Sequence, residues 1–214
     1  MALDCIFLDC DGVIFRSNHL KLKAFKETLA PIVASEELDE IIKRVSGLFG
    51  RTRIEIFNIL NSEYKLKPNN IEEVIEEYSR RCVELYMHAE IVPGVIEFVE
   101  NEAPKRPIYI VSGSDQKELR EAFYNRKLDH LFAGIFGSPI KKSEHIKKIM
   151  MDNNLKQCRL YGDSSSDFNA ARLNEIDFVF VSETSLEVEK VRELISDTKF
   201  QEVVNFEGLG ELSE

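Results

Sequence analysis

The chain has 214 residues, 43% of them hydrophobic, enough for one large domain or for a core carrying a smaller insert. Lys and Arg number 28 against 38 Asp and Glu, and the net charge of −10 repels polyanions, which argues against nucleic acid and acidic membrane surfaces as partners. The four cysteines lack paired zinc-type spacing, no apolar run reaches membrane-spanning length, and Met1 leads straight into a strand-like run, so the sequence predicts a reduced, unprocessed, cytoplasmic protein.

The first strand-like run is residues 5–8, an unbroken apolar stretch ending at Asp9, as expected of a parallel strand covered on both faces. The rhythm then changes. Helical patterns at residues 19–29, 36–45, 52–60 and 71–86 follow one another without a convincing strand, which predicts a helical insert after the first strand. Val92, Pro93 and Gly94 close it with a turn signal before a helix at residues 95–101. Strand-like runs return at residues 108–111, 134–136, 159–161 and 178–181, separated by helical patterns at 116–126, 143–151 and 167–173. That alternation predicts an α/β fold, a parallel sheet with helices on both faces, in which ligands gather at the carboxyl ends of the strands.

Four segments at those ends carry chemistry. Asp9 and Asp11 are two apart in extended backbone and present both carboxylates to one face, where they can converge on a ligand; a capped strand end turned by Gly12 is the plainer alternative. Ser112, Gly113 and Ser114 place a hydroxyl and free N–H groups between a strand and a helix, where anions are favoured, although capping by Ser114 or Asp115 leaves the same pattern. Lys141 and Lys142 open a helix, a position at which the macrodipole disfavours cations, so either an anionic neighbour or a solvated basic loop has to account for them. Asp163 and Asp167 lie four apart at a helix start, an oxygen-rich pair suited to a hard cation such as magnesium, or else a cap and a surface acid.

In order and in placement these segments resemble the four motifs of the haloacid dehalogenase superfamily. The resemblance implies a Rossmann-like core at residues 1–15 and 92–214 with a helical cap at residues 16–91. It further implies a magnesium-dependent phosphatase that hydrolyses a small phosphorylated metabolite, such as a sugar phosphate, through an aspartyl phosphate. Asp9 resembles the nucleophile and Asp11 the acid/base, which in the family also gives a backbone carbonyl to Mg2+. Ser112 and the Gly113 N–H match the phosphate donors, and Lys142, with Lys141 as the alternative, matches the neutralising lysine. Asp163 and Asp167 complete the metal site with Asp9. Two departures stand out: Ser143 follows Lys142 where many capped relatives have proline, and Arg16 stands where many have an acid.

The chemistry needs such a set. A carboxylate attacking a phosphate monoester meets charge repulsion, which a metal, a lysine and backbone donors offset, and a second carboxylate must give and then take a proton. A phosphomutase of the hexose-phosphate type would differ only in the group that accepts the phosphoryl. A non-catalytic phosphate-binding module would have no use for Asp11, and a phosphonate hydrolase would need a Schiff-base lysine in the cap, for which Lys21, Lys23 and Lys43 qualify only by being lysines. In Gly50-Arg51-Thr52-Arg53 two arginines follow a glycine at a helix start, which marks Arg51 as a candidate contact to a polar or anionic part of the substrate.

Overall fold

The computed structural model describes residues 3–66, 71–196, 198 and 200–209. The first and last few residues of the expected core ranges, and residues 67–70 of the expected cap, lie outside them. β1 (Cys5–Leu8) is followed by four helices, α1 (Asn18–Leu29), α2 (Ser35–Ser46), α3 (Arg53–Tyr64) and α4 (Ile71–His88). The chain then alternates: α5 (Val95–Glu102), β2 (Ile108–Asp115), α6 (Gln116–Asn125), β3 (Gly134–Ser138), α7 (Lys142–Asp152), β4 (Cys158–Gly162), α8 (Ser165–Leu173), β5 (Asp177–Val181), α9 (Val188–Ile195) and β6 (Gln201–Val203).

All six strands are parallel and lie in the order β3-β2-β1-β4-β5-β6. Because successive residues of a strand face opposite sides, Ile6 and Leu8 join one core with Phe98 and Val99 of α5 and Leu119 and Phe123 of α6. Cys5 and Phe7 join the other, with Ile146 of α7, Phe168 of α8 and Val191 of α9. The helices therefore cover both faces, as the alternating pattern predicts. The strand order reverses at β1, between β2 and β4, and their carboxyl ends open a crevice there.

Helices α1 to α4 bury a separate core built on Phe25, Leu29, Ile41, Phe57, Leu60, Tyr78 and Cys82. The chain enters and leaves this helical unit side by side. Phe15 bridges Ile91 in antiparallel pairing, the Arg16 N–H donates to Glu90 O at 2.8 Å, and the Val92 N–H donates to Ile14 O at 3.0 Å. Arg16 also pairs with the side chains of Glu90 and Glu183, so the residue that departs from the acidic pattern ties the crossing to the end of β5.

The structure corrects the sequence reading at the end of β2 and at the start of α8. β2 does not end at Val111 but runs to Asp115, with a register shift against β3 between those residues, so Ser112, Gly113 and Ser114 belong to a bulged strand end rather than to a loop. The cap of α6 is Asp115, which accepts from the N–H groups of Lys117 and Glu118. α8 begins at Ser165 instead of Asp167, because Ser164 and Asp167 form a reciprocal capping box. Two elements have weak sequence signals: α9 buries only Val191 and Ile195, and β6 is a three-residue edge strand with Gln201 and Glu202 exposed.

Leu160 lies in β4 between β1 and β5 and is fully buried, so truncation to alanine leaves a cavity at the centre of the sheet. Leu160→Ala should lower the melting temperature by about 5–15 °C, from a loss of about 2–5 kcal/mol, measured by thermal unfolding with and without magnesium.

Candidate active site

Asp9 leaves the end of β1 with its N–H donating to Tyr161 O at 3.0 Å. Its carboxylate is buried; Oδ2 meets Lys142 Nζ at 3.0 Å, and Oδ1 has no hydrogen-bond partner. Burial, and then the nearby charge of Asp167, push its pKa up to about 7. Gly12 turns the chain with φ +78°, and a Cβ there would fall 2.3 Å from Asp163 Oδ2, so only glycine lets the first and last acidic segments approach this closely.

Asp11 sits in a cage of donors. Its Oδ1 accepts from Ser17 Oγ at 2.6 Å and Tyr86 OH at 2.9 Å, and its Oδ2 from Lys21 Nζ at 2.5 Å and Ser114 Oγ at 2.8 Å. Burial alone would raise this carboxyl; the Lys21 charge and the donors outweigh it and hold Asp11 below the ordinary carboxylate range. Three of the four donors belong to the crossing or the helical unit, and only Ser114 comes from the sheet.

Lys142, the first residue of α7, reaches both Asp9 and Asp167 Oδ1. Those two acids are the anionic neighbours that a lysine at a helix start requires. Burial disfavours its charge, but Asp167 and Asp9 more than compensate and raise its pKa. Lys141, beside it, is exposed. Asp167 is fully buried rather than a surface acid, with Oδ2 accepting from Ser164 N at 3.1 Å and Ser164 Oγ at 2.5 Å. Ser112 is buried and lines the same chamber as Asp9, Lys142 and Gly113.

Ligand oxygens of Asp9, Asp163 and Asp167 lie within 4.8 Å of one another, all three residues buried. Burial, then the charges of Asp9 and Asp167, push Asp163 well above the ordinary carboxylate range. Three buried carboxylates face one ammonium, and one carboxylate oxygen, Asp9 Oδ1, is unpartnered. An all-oxygen set with surplus negative charge fits a hard divalent cation such as Mg2+. The Asp11 carboxylate is not part of this cluster.

The helical unit supplies residues that the sequence reading did not assign to the site. Asn18 donates to Asp163 Oδ2 at 2.5 Å and to Thr184 O at 3.0 Å. Lys21, noted only as one lysine among three, grips Asp11. Its place was legible in part, since Asn18, Lys21 and Phe25 recur at helical spacing with the buried face of α1. Arg53 and Glu118 form a two-pronged ion pair between α3 and α6, which no local pattern announces. Gly50, with φ +87°, sets its carbonyl 3.0 Å from where a Cβ of Gly113 would stand, and its own Cβ would collide with Ser166 Oγ. The helical unit thus rests directly on the strand ends. Arg51 is exposed at the mouth of the chamber.

A comparison with family models matches residues 6–181 to the haloacid dehalogenase-like hydrolases. The chain belongs to that family and is an enzyme of its hydrolytic class. Among solved structures, CbbY from Rhodobacter sphaeroides in complex with phosphate aligns with TM-score 0.76 and 15% identity over 98% of this chain and 97% of its own. The same protein, as a mutant, has been seen with xylulose-(1,5)-bisphosphate. A haloacid dehalogenase-like hydrolase from Streptococcus pneumoniae aligns with TM-score 0.73 and 21% identity over 99% of each chain. A predicted phosphoglycolate phosphatase from Haemophilus somnus aligns with TM-score 0.75 and 16% identity over 99% of this chain and 98% of its own. At these identities the likeness is one of fold. A comparison with curated proteins yields no match.

The raised carboxyl of Asp9 links the site to stability. Its folded value of about 7 lies above the ordinary 3.8, so the folded state holds a proton that the unfolded chain has released. Its stabilising contribution is complete below the unfolded value and is lost as pH rises through the folded one. Without metal, Asp9→Asn should therefore melt about 3 °C or more above wild type at pH 8 and converge with it toward pH 4, as followed by thermal unfolding in the presence of a chelator.

Proposed function

We propose that the chain is a magnesium-dependent phosphatase that hydrolyses a small phosphomonoester, such as a sugar phosphate, through an aspartyl phosphate on Asp9. The observation that carries this reading is the buried cluster in which Lys142 joins Asp9 to Asp167 while Asp9 Oδ1 is left without a partner. A nucleophile, a neutralising cation and a set of metal acids then share the crevice at the ends of β1 and β4. The cap of residues 16–91 closes over them through Gly50. Four free, buried cysteines support a reducing compartment, the cytoplasm.

In the first step an Asp9 oxygen forms a bond to phosphorus while the bond to the leaving oxygen breaks, and Asp11 supplies the proton that oxygen needs. Lys142 takes up charge on the transferring phosphoryl group together with Ser112 Oγ and the Gly113 N–H. In the second step Asp11 takes a proton from water, whose oxygen displaces Asp9 from phosphorus and releases inorganic phosphate. Asp9, Asp163 and Asp167, with the Asp11 carbonyl, would hold Mg2+, which supplies charge neutralisation to the phosphate oxygens. The donors around Asp11 favour its carboxylate form, which suits the second step more than the first. Leaving groups that need little protonation should therefore react fastest.

Asp9→Asn should release no phosphate while staying folded; activity within about tenfold of wild type, in a phosphate-release assay with magnesium, removes the covalent route. Magnesium should raise the melting temperature of wild type and not that of Asp163→Ala. Arg51, at the mouth, contacts a polar part of larger substrates. Arg51→Ala should lower kcat/KM for such esters by about tenfold and spare p-nitrophenyl phosphate, whereas equal losses on both take Arg51 out of the specificity site.

A further inference from the structure

Part of the wall that the helical unit presents to the chamber is apolar, and the inner cations among the described residues are already paired. Among the described residues four side-chain cations line the chamber, Lys21, Arg51, Arg53 and Lys142. Lys142 serves Asp9 and Asp167, and Lys21 serves Asp11. Arg51 is exposed at the mouth, where it borders an outer groove together with Lys141. Among the described residues Arg53 is the one inner cation outside the proposed catalytic set, and Glu118 holds it: Nη1 and Nη2 donate to the two carboxylate oxygens at 2.6 Å each, and Nη1 also donates to Ser79. Both side chains of this pair are 11% exposed, and the guanidinium lies 5.3 Å from the centre of the Tyr78 ring. Around Arg53 the cap wall consists of Phe25, Phe49, Ile56 and Tyr78.

We propose that Glu118 is a specificity-determining residue. By occupying Arg53 it restricts the chamber to phosphomonoesters whose leaving group is uncharged and turns an apolar face to Phe25, Phe49, Ile56 and Tyr78. A second phosphate or carboxylate on the substrate would have to share Arg53 with Glu118, whose largely buried negative charge opposes it, or displace Glu118 and leave that carboxylate without its cation. An anion placed against Phe25, Phe49 and Ile56 without Arg53 would meet apolar side chains. Discrimination then comes from an unpaired charge imposed on the wrong substrate rather than from an added contact to the right one.

This inference rests on the phosphatase reading, and the experiment separates the two. With magnesium present, kcat/KM is measured for benzyl phosphate and a hexose monophosphate, and for phosphoglycolate and a hexose bisphosphate. The uncharged leaving groups should be favoured by about tenfold or more. Glu118→Gln, which frees Arg53, should shift the ratio of bisphosphate to benzyl phosphate kcat/KM by about tenfold toward the bisphosphate. The double variant Arg53→Met with Glu118→Gln, which removes cation and anion together, should keep the wild-type ratio and guards against misfolding of the single variant. A wild-type preference for the doubly anionic esters, or an unchanged ratio in folded Glu118→Gln, overturns the proposal. If none of the four esters releases phosphate, the phosphatase reading falls. Calorimetric titration of the same magnesium-loaded protein with the four esters then decides the proposal, which tighter binding of the doubly anionic pair overturns.

Discussion

The site depends on one ammonium group. Asp9, Asp163 and Asp167 crowd their oxygens within 4.8 Å at the ends of β1 and β4, away from water, and Lys142 is the cation that reaches two of them. Like charges at that separation in a medium less polarisable than water repel strongly, so a cluster of this kind persists only with a counter-charge held in place. The α7 helix supplies it by starting on a lysine, against its own dipole, and the two carboxylates outweigh that disadvantage. The same bridge joins β1, α7 and α8 at their ends, so one side chain both offsets part of the charge and ties Asp9 to Asp167.

A sheet built this way exposes its reacting groups to solvent at the open end of the strands. The helical unit between β1 and α5 changes that. It lays Gly50 on Gly113, surrounds Asp11 with Ser17, Lys21 and Tyr86, and brings Asn18 to Asp163 of the acidic cluster. The two carboxylates after β1 therefore live in different surroundings despite being two residues apart. Asp9 belongs to the sheet and carries a raised pKa, whereas Asp11 belongs largely to the cap's donors and carries a lowered one. Opposed shifts let two neighbouring acids differ in protonation at one pH.

What the sequence disclosed follows from how each residue is positioned. Asp9, Asp11, Lys142, Asp163 and Asp167 sit immediately after strands or at helix starts, where position along the chain nearly determines position in space. The parallel sheet was legible for the same reason, since strands buried on both faces are continuous apolar runs. Residues contributed by the helical unit are different, because their role depends on which helical face turns toward the sheet and at what angle. Lys21 shows a trace of this in its spacing with Phe25. Glu118 shows none, because its partner Arg53 lies 65 positions away in the chain and on another layer. The continuation of β2 through Ser112 to Asp115 was hidden by residues of turn-like composition, whose strand pairing comes from β3 and not from their own preferences.

The side-by-side crossing at Phe15 and Ile91 bears on how such a chain changes over time. The ends of the inserted segment are already neighbours, fixed by backbone hydrogen bonds between residues 14–16 and 90–92. Closing a loop between adjacent points costs little more for a long segment than for a short one. Helices can be gained, lost or exchanged between those points without moving β1 or the acid at its end, so the catalytic sheet and the surface that selects what enters it can diverge at separate rates.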